Sequence, residues 1–197
     1  MKRNVLLIFM IFNSAFAFAQ NDFELKAYFG LSGAQVGIIA DVSVESSVKM
    51  KGFREFGLML SSGIGGKFRL NGGLTYAYSK MEFQCDLCNS WSDLPNPYDK
   101  DFRMLSLPVF AEYELTKFLF VAAGPLLDFQ LSENNYLEDQ SGLGYLVGLG
   151  GKVRTDRFTF SVFPNYKRHA VVPFEKQDGY KVLLQEFGLQ FGVAYRF

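Results

Sequence analysis

The chain has little of what usually announces chemistry: two cysteines, one histidine and one tryptophan in 197 residues. No G-x-S-x-G elbow and no H-E-x-x-H occurs, and no nucleophile, base and orienting group can be assembled from the spacing. The expectation is therefore a protein that is not an enzyme and carries no cofactor or metal. Charge of one sign is also missing, with 20 Lys plus Arg against 20 Asp plus Glu. Without a basic excess there is nothing to neutralise phosphates, which argues against a nucleic-acid partner. Long apolar runs are absent as well. Beyond the first twenty residues nothing approaches the ~18 consecutive apolar positions of a membrane helix. Yet 49% of residues are hydrophobic, 17% are aromatic, and there are 22 Phe and 19 Gly. That much apolar material excludes disorder, and the length suits one domain.

The first 19 residues read as a secretory signal peptide. Lys2 and Arg3 make the positive end, Val5 to Phe12 the apolar stretch, and Ala17-Phe18-Ala19 an A-x-A-like cleavage site before Gln20. The apolar stretch is short for a hydrocarbon layer of about 30 Å. Cleavage near Ala19 leaves residues 20–197 as one exported domain. It also removes two bases, leaving 18 against 20 acids and a charge of −2.

In the remainder apolar residues recur every second position. From residue 183 onward, Leu183, Gln185, Phe187, Leu189, Phe191, Val193, Tyr195 and Phe197, apolar but for Gln185, alternate with Leu184, Glu186, Gly188, Gln190, Gly192, Ala194 and Arg196. In a strand these sets lie on opposite faces. The same pattern marks seven further segments, near 23–32, 55–61, 67–79, 103–115, 117–131, 142–154 and 157–168. Three connections are short: Gly63-Ile64-Gly65-Gly66, Thr116-Lys117 and Thr155-Asp156. Four are long, near 33–52, 80–102, 132–142 and 168–182. The polar face is rich in small residues and many strands run to twelve positions or more, which suits a tilted membrane crossing. The expected fold is an all-β, eight-stranded antiparallel up-and-down transmembrane barrel, with apolar side chains on lipid, both termini at the short-turn end, and no exposed sheet edge.

Two adjacent stretches carry a family likeness. Leu107-Pro108-Val109-Phe110-Ala111-Glu112-Tyr113, followed by Phe118 to Leu127 with its Ala123-Gly124-Pro125 core, resembles the signature of the Bacteroidota outer-membrane β-barrel domain, the PorT-like family. The ending Gly192 to Phe197, with Tyr195 and Phe197, is similar to the aromatic C-terminal signal read by outer-membrane assembly machinery. The resemblance implies the cell outer membrane of a Gram-negative bacterium, and offers an accessory role in protein secretion and gliding. It leaves function open, because one fold hosts many functions. Loop 1, long and partly apolar around Val36 to Ala40, departs from the family pattern and would extend the first hairpin.

Strand parity sends twelve charges inward: Glu24, Glu55, Glu112, Glu114, Asp128 and Glu186 against Lys26, Arg69, Lys152, Arg154, Lys167 and Arg196. Eight strands enclose a space that side chains can fill, and buried charges need partners. The expectation is a closed, salt-bridged lumen, with a narrow solute channel as the alternative. Cys85 and Cys88, in the second long connection of an exported chain, are expected to form a disulfide. With His169, placed in the fourth long connection, they make only a weak zinc set. Trp91 and Tyr98 are loop candidates for binding an envelope protein or glycan. The remaining expected partners are outer-membrane lipid and the assembly machinery, with the protein itself a monomer. The function read from sequence is thus a small barrel with structural or interaction roles for its loops.

Overall fold

In a computed structural model, residues 23–39, 47–84, 98–132, 139–175 and 181–197 are described. The predicted signal peptide, Cys85, Cys88 and Trp91 lie outside them. Eight strands follow in order: β1 (Phe23–Ile39), β2 (Ser47–Gly65), β3 (Phe68–Gln84), β4 (Tyr98–Glu114), β5 (Leu119–Gln130), β6 (Gly142–Arg154), β7 (Phe158–Pro173) and β8 (Lys181–Arg196). Each pairs antiparallel with its chain neighbours, and β1 pairs with β8 to close the barrel. Closure satisfies every strand's backbone groups within the wall, which lipid could not do for an open edge.

Parity decides which way each residue faces. Leu58, Leu60, Phe68, Leu74, Leu149, Phe160, Phe187 and Phe191 are exposed on the outer wall, while Glu24, Glu55, Asn71, Asp128, Lys167 and Glu186 are buried. This inverts the soluble pattern and is what contact with lipid requires. Aromatic pairs mark two levels of the outer wall. At the short-turn end, Phe68 packs tilted against Tyr113 at 4.8 Å, and Phe158 against Tyr195 at 5.5 Å and Tyr195 against Phe197 at 5.4 Å meet edge to face. At the other end, Tyr145 faces Tyr166 at 6.2 Å and Phe129 faces Phe174 at 5.8 Å. Amphipathic rings collect at this depth because one part of the bilayer interface is apolar and the other wet.

The turns follow from local chemistry. Thr116 Oγ1 accepts from the N–H groups of Phe118 and Leu119 at 3.2 and 3.0 Å, and Thr155 Oγ1 accepts from Phe158 N–H at 3.2 Å. A threonine hydroxyl thus closes both of these turns. The two motif stretches meet in the β4–β5 hairpin. Pro108 sits opposite Leu126 and Leu107 opposite Leu127, with pairing resumed at Ala111 and Ala123. Pro125 lies in the interval, and proline cannot donate to a ladder.

The strands run further than the sequence pattern suggested at the long-connection end. β1 continues to Ile39 and β2 begins at Ser47, so the first hairpin does extend beyond the predicted 33–52 boundary. Tyr98, expected in a loop, opens β4 opposite Phe83. The fourth long connection also shrinks, because β7 runs through residue 168 to Pro173. His169 is therefore a strand residue, not a loop residue. A bulge makes this hard to see: between the pairs Leu143–Val172 and Tyr145–Arg168, β7 carries extra residues, including Ala170 at a φ of 47°. Both His169 and Ala170 are buried.

Candidate functional site: a layered lumen

Nine of the twelve charges named from parity are buried, with Glu114, Arg154 and Arg196 part-exposed beside them, and the twelve do not form one plug. They separate into two groups with an apolar layer between them.

The first group lies at the short-turn end. Glu24, Glu112 and Glu114 share it with Lys26, Arg69, Lys152, Arg154 and Arg196. Lys152 pairs with Glu112 and lies 2.8 Å from Glu114, which also pairs with Arg154. Three guanidinium groups converge on one carboxylate oxygen, Glu24 Oε1, with Arg196, Arg69 and Arg154 at 3.3, 3.5 and 4.0 Å. This chamber is open at its rim: the side chains of Arg154 and Arg196 are 28% and 27% exposed.

Above it Tyr28, Met59, Phe110, Phe120, Leu126, Leu146 and Phe163, from six of the eight strands, form a buried apolar cluster. Phe163 of β7 lies 6.2 Å from Phe110 of β4 and 5.4 Å from Phe120 of β5, both stacked. The wall gives way where these rings reach it. A side chain at Gly57 would occupy the Tyr28 ring, and one at Gly150 would occupy the Phe120 ring. Small residues on the inner face therefore buy ring packing, which the glycine-rich β6 run provides. The expectation that strand phenylalanines face lipid holds only in part, since Phe53, Phe102, Phe110, Phe120 and Phe163 are buried inside.

The second polar group lies beyond this layer. Lys167 pairs with Glu55 and, at 3.0 Å, with Glu186. Ser32 donates to Glu186 at 2.6 Å, and Gln190 donates to Glu55 at 2.9 Å. His169 bridges two carboxylates, Nδ1 at 2.9 Å from Asp128 and Nε2 at 3.3 Å from Glu186. Ser106 donates to the other oxygen of Asp128, and Tyr28 reaches Thr75 from the layer below. A cavity of about 10 Å³ among these groups has room for about one water. With both ring nitrogens taken, His169 has no lone pair to spare for a zinc site. Nor do Ser106, Asp128 and His169 make a hydrolytic triad. The carboxylate sits between the other two, so no base faces the hydroxyl.

A second apolar layer of Phe53, Phe102, Met81, Met104 and Leu184 covers this cluster. Gln140, fully buried, ties the β5–β6 connection to the wall: its side chain accepts from Leu184 N–H, and its own N–H donates to Gln130, both at 3.0 Å. The sequence reading missed His169 and Gln140 as lumen residues. For His169 the signal existed, since Asn165, Lys167 and His169 keep one parity. For Gln140 none did, because it precedes β6.

Three solved structures share this architecture. The outer membrane protein OprG of Pseudomonas aeruginosa is 12% identical, covering 90% of this chain and 96% of its own, with a TM-score of 0.60. The outer membrane protein AlkL is 15% identical over 90% of this chain and 91% of its own, with a TM-score of 0.51. Neisserial surface protein A is also 15% identical, over 89% and 97%, with a TM-score of 0.50. At such identities the likeness is one of fold: a small closed barrel of the outer-membrane kind. No family model matches the chain, and no curated protein matches it.

Proposed function

We propose that this protein is a closed, non-conducting barrel of the bacterial outer membrane whose wall holds long external connections in place. The observation that carries the reading is the aromatic layer. Tyr28, Phe110, Phe120 and Phe163 lie across the lumen between the two charged groups, so an ion would have to leave water and cross packed rings. The apolar outer wall and its two aromatic levels support a membrane setting. Export through a signal peptide cleaved near Ala19, and assembly through Tyr195 and Phe197, complete the route. Phe197 is 75% exposed at the short-turn end, accessible to a receptor there. On this reading the short turns face the periplasm, the protein is a monomer, and Cys85 and Cys88 form a disulfide in a loop whose Trp91, with Tyr98 at the start of β4, meets an envelope protein or glycan.

Planar-bilayer recording tests the closed lumen. Purified protein is expected to show no stable conductance, and a reproducible unitary conductance would sink the reading in favour of a solute channel. A secretion-accessory role, as in PorT-like proteins, is a second reading. It rests on the Leu107–Tyr113 and Phe118–Leu127 stretches, which form one hairpin. Retained secretion of cargo after deletion would remove it.

A further inference from the structure

The charges of the short-turn chamber do not balance. Among the described residues its five cationic side chains, Lys26, Arg69, Lys152, Arg154 and Arg196, share the chamber with three carboxylates, Glu24, Glu112 and Glu114. Glu112 and Glu114 are engaged by Lys152 and Arg154. One oxygen, Glu24 Oε1, is a common contact of Arg196, Arg69 and Arg154 at 3.3 to 4.0 Å.

Two buried donors make the shortage local. Lys26 is 9% exposed and points into the lumen, its stem 3.1 Å from where a side chain at Gly192 would begin. It lies within electrostatic reach of Glu24, Glu112, Arg69 and Lys152, yet no described residue makes a hydrogen bond or ion pair with its ammonium. Asn71, the next inward position after Arg69 on β3, is 1% exposed and its side-chain N–H₂ has no acceptor. A buried ammonium carries three donors and no acceptor, and leaving it unpaired is costly.

We propose that the short-turn chamber is a binding site for a small oxyanion of the phosphate or sulfate type, held by Lys26 with the rim arginines Arg154 and Arg196. Such an anion supplies what the chamber lacks: up to two negative charges and several acceptor oxygens in one compact group. Guanidinium forks match its geometry. The rim arginines reach solvent, which gives an entrance, and the aromatic layer above gives the chamber a floor with no exit. Field lines from five cations within low-dielectric walls concentrate anions at such a mouth. The inference does not depend on what the external loops do, or on whether the barrel conducts.

The test is calorimetric titration of inorganic phosphate into the full-length folded protein in lipid-free detergent micelles, with chloride at matched ionic strength as the comparison. Saturable phosphate binding is expected, at least tenfold tighter than chloride, and weakened tenfold or more in Lys26→Met. Arg196→Gln, at the half-open rim, gives a second variant should Lys26→Met fail to fold, with a loss of about threefold or more expected. Equal response to both anions would reduce the effect to screening and overturn the proposal. So would no binding at all, or unchanged affinity in folded Lys26→Met or Arg196→Gln. Phosphate-dependent effects seen only in vesicles of phospholipid would place the contact at headgroups outside the barrel, and would likewise overturn it.

Discussion

The two charged layers of the lumen both set carboxylates against basic side chains, arginines at the short-turn end and His169 in the deeper layer, and face opposite constraints. The deeper one, around Lys167, is sealed by apolar side chains above and below. Its polar groups find partners at close range: Lys167 holds two carboxylates, His169 holds two, and Gln190, Ser32 and Ser106 occupy further oxygens. The one at the short-turn end opens to water. It tolerates long contacts of 3.3 to 4.0 Å to a single carboxylate oxygen, and the Lys26 ammonium has no partner among the described residues. The difference teaches that polarity inside a barrel has two uses. Where water is excluded, charges must be satisfied and so act as structure. Where water or an ion can enter, they can remain unsatisfied and are free to bind.

The sharpest break of this comparison is Lys167→Met. The substitution keeps the side chain's bulk and takes from Glu55 and Glu186, each 1% exposed, their shared cation. Loss of one partner from a buried pair costs roughly 3–5 kcal/mol, and here two carboxylates lose the same partner. Reversible urea unfolding in lipid vesicles should show a loss at the upper end of that range. A loss below about 1 kcal/mol would mean that water reaches this layer, and the comparison would collapse.

Phe163→Ala tests the partition itself. Phe163 is buried between Phe110 and Phe120, and truncating a packed phenylalanine costs about 3–5 kcal/mol through lost burial and the cavity left behind. The same unfolding measurement checks it. The cavity would also join the two polar layers, so the cost should fall short of that range only if water crosses the gap and solvates both.

What was legible in the sequence follows from the same layering. Strand number, order and outward face could be read because lipid demands an unbroken apolar set at every second position. Phe56, Leu58 and Leu60, or Phe187, Leu189, Phe191 and Val193, satisfy that demand residue by residue. The inner face has no such rule. Its apolar members, such as Met59 between Gly57 and Ser61, or Phe163 between Ser161 and Asn165, interrupt the small and polar set one at a time. Their meeting across the lumen depends on stagger between strands far apart in the chain. Phe110, Phe120 and Phe163 belong to three different strands, so a list of inward charges could be compiled from parity while their division into two groups could not. His169 shows the remaining limit. A bulge at Ala170 lets β7 continue past a point where the polar run Lys167-Arg168-His169 looks like a loop, and pairing, not pattern, decides where a strand ends.

The smallest effect separates the layers most cleanly by its salt dependence. Arg154→Met removes a partner of Glu114 at the open rim, where the two side chains are 28% and 20% exposed. Glu114 keeps Lys152 at 2.8 Å, and a solvated pair contributes roughly 0–1 kcal/mol. The stability loss should therefore stay under about 1 kcal/mol. It should also shrink as ionic strength rises, because the Debye length falls from about 30 Å at 0.01 M to about 3 Å at 1 M. Lys167→Met should be nearly indifferent to the same change, since ions cannot enter the layer between the two apolar clusters. Urea unfolding of both variants across that range gives the comparison its finest form. If Arg154→Met proved salt-insensitive, the rim would be as closed as the deeper layer, and the chamber would have no mouth through which to admit an anion.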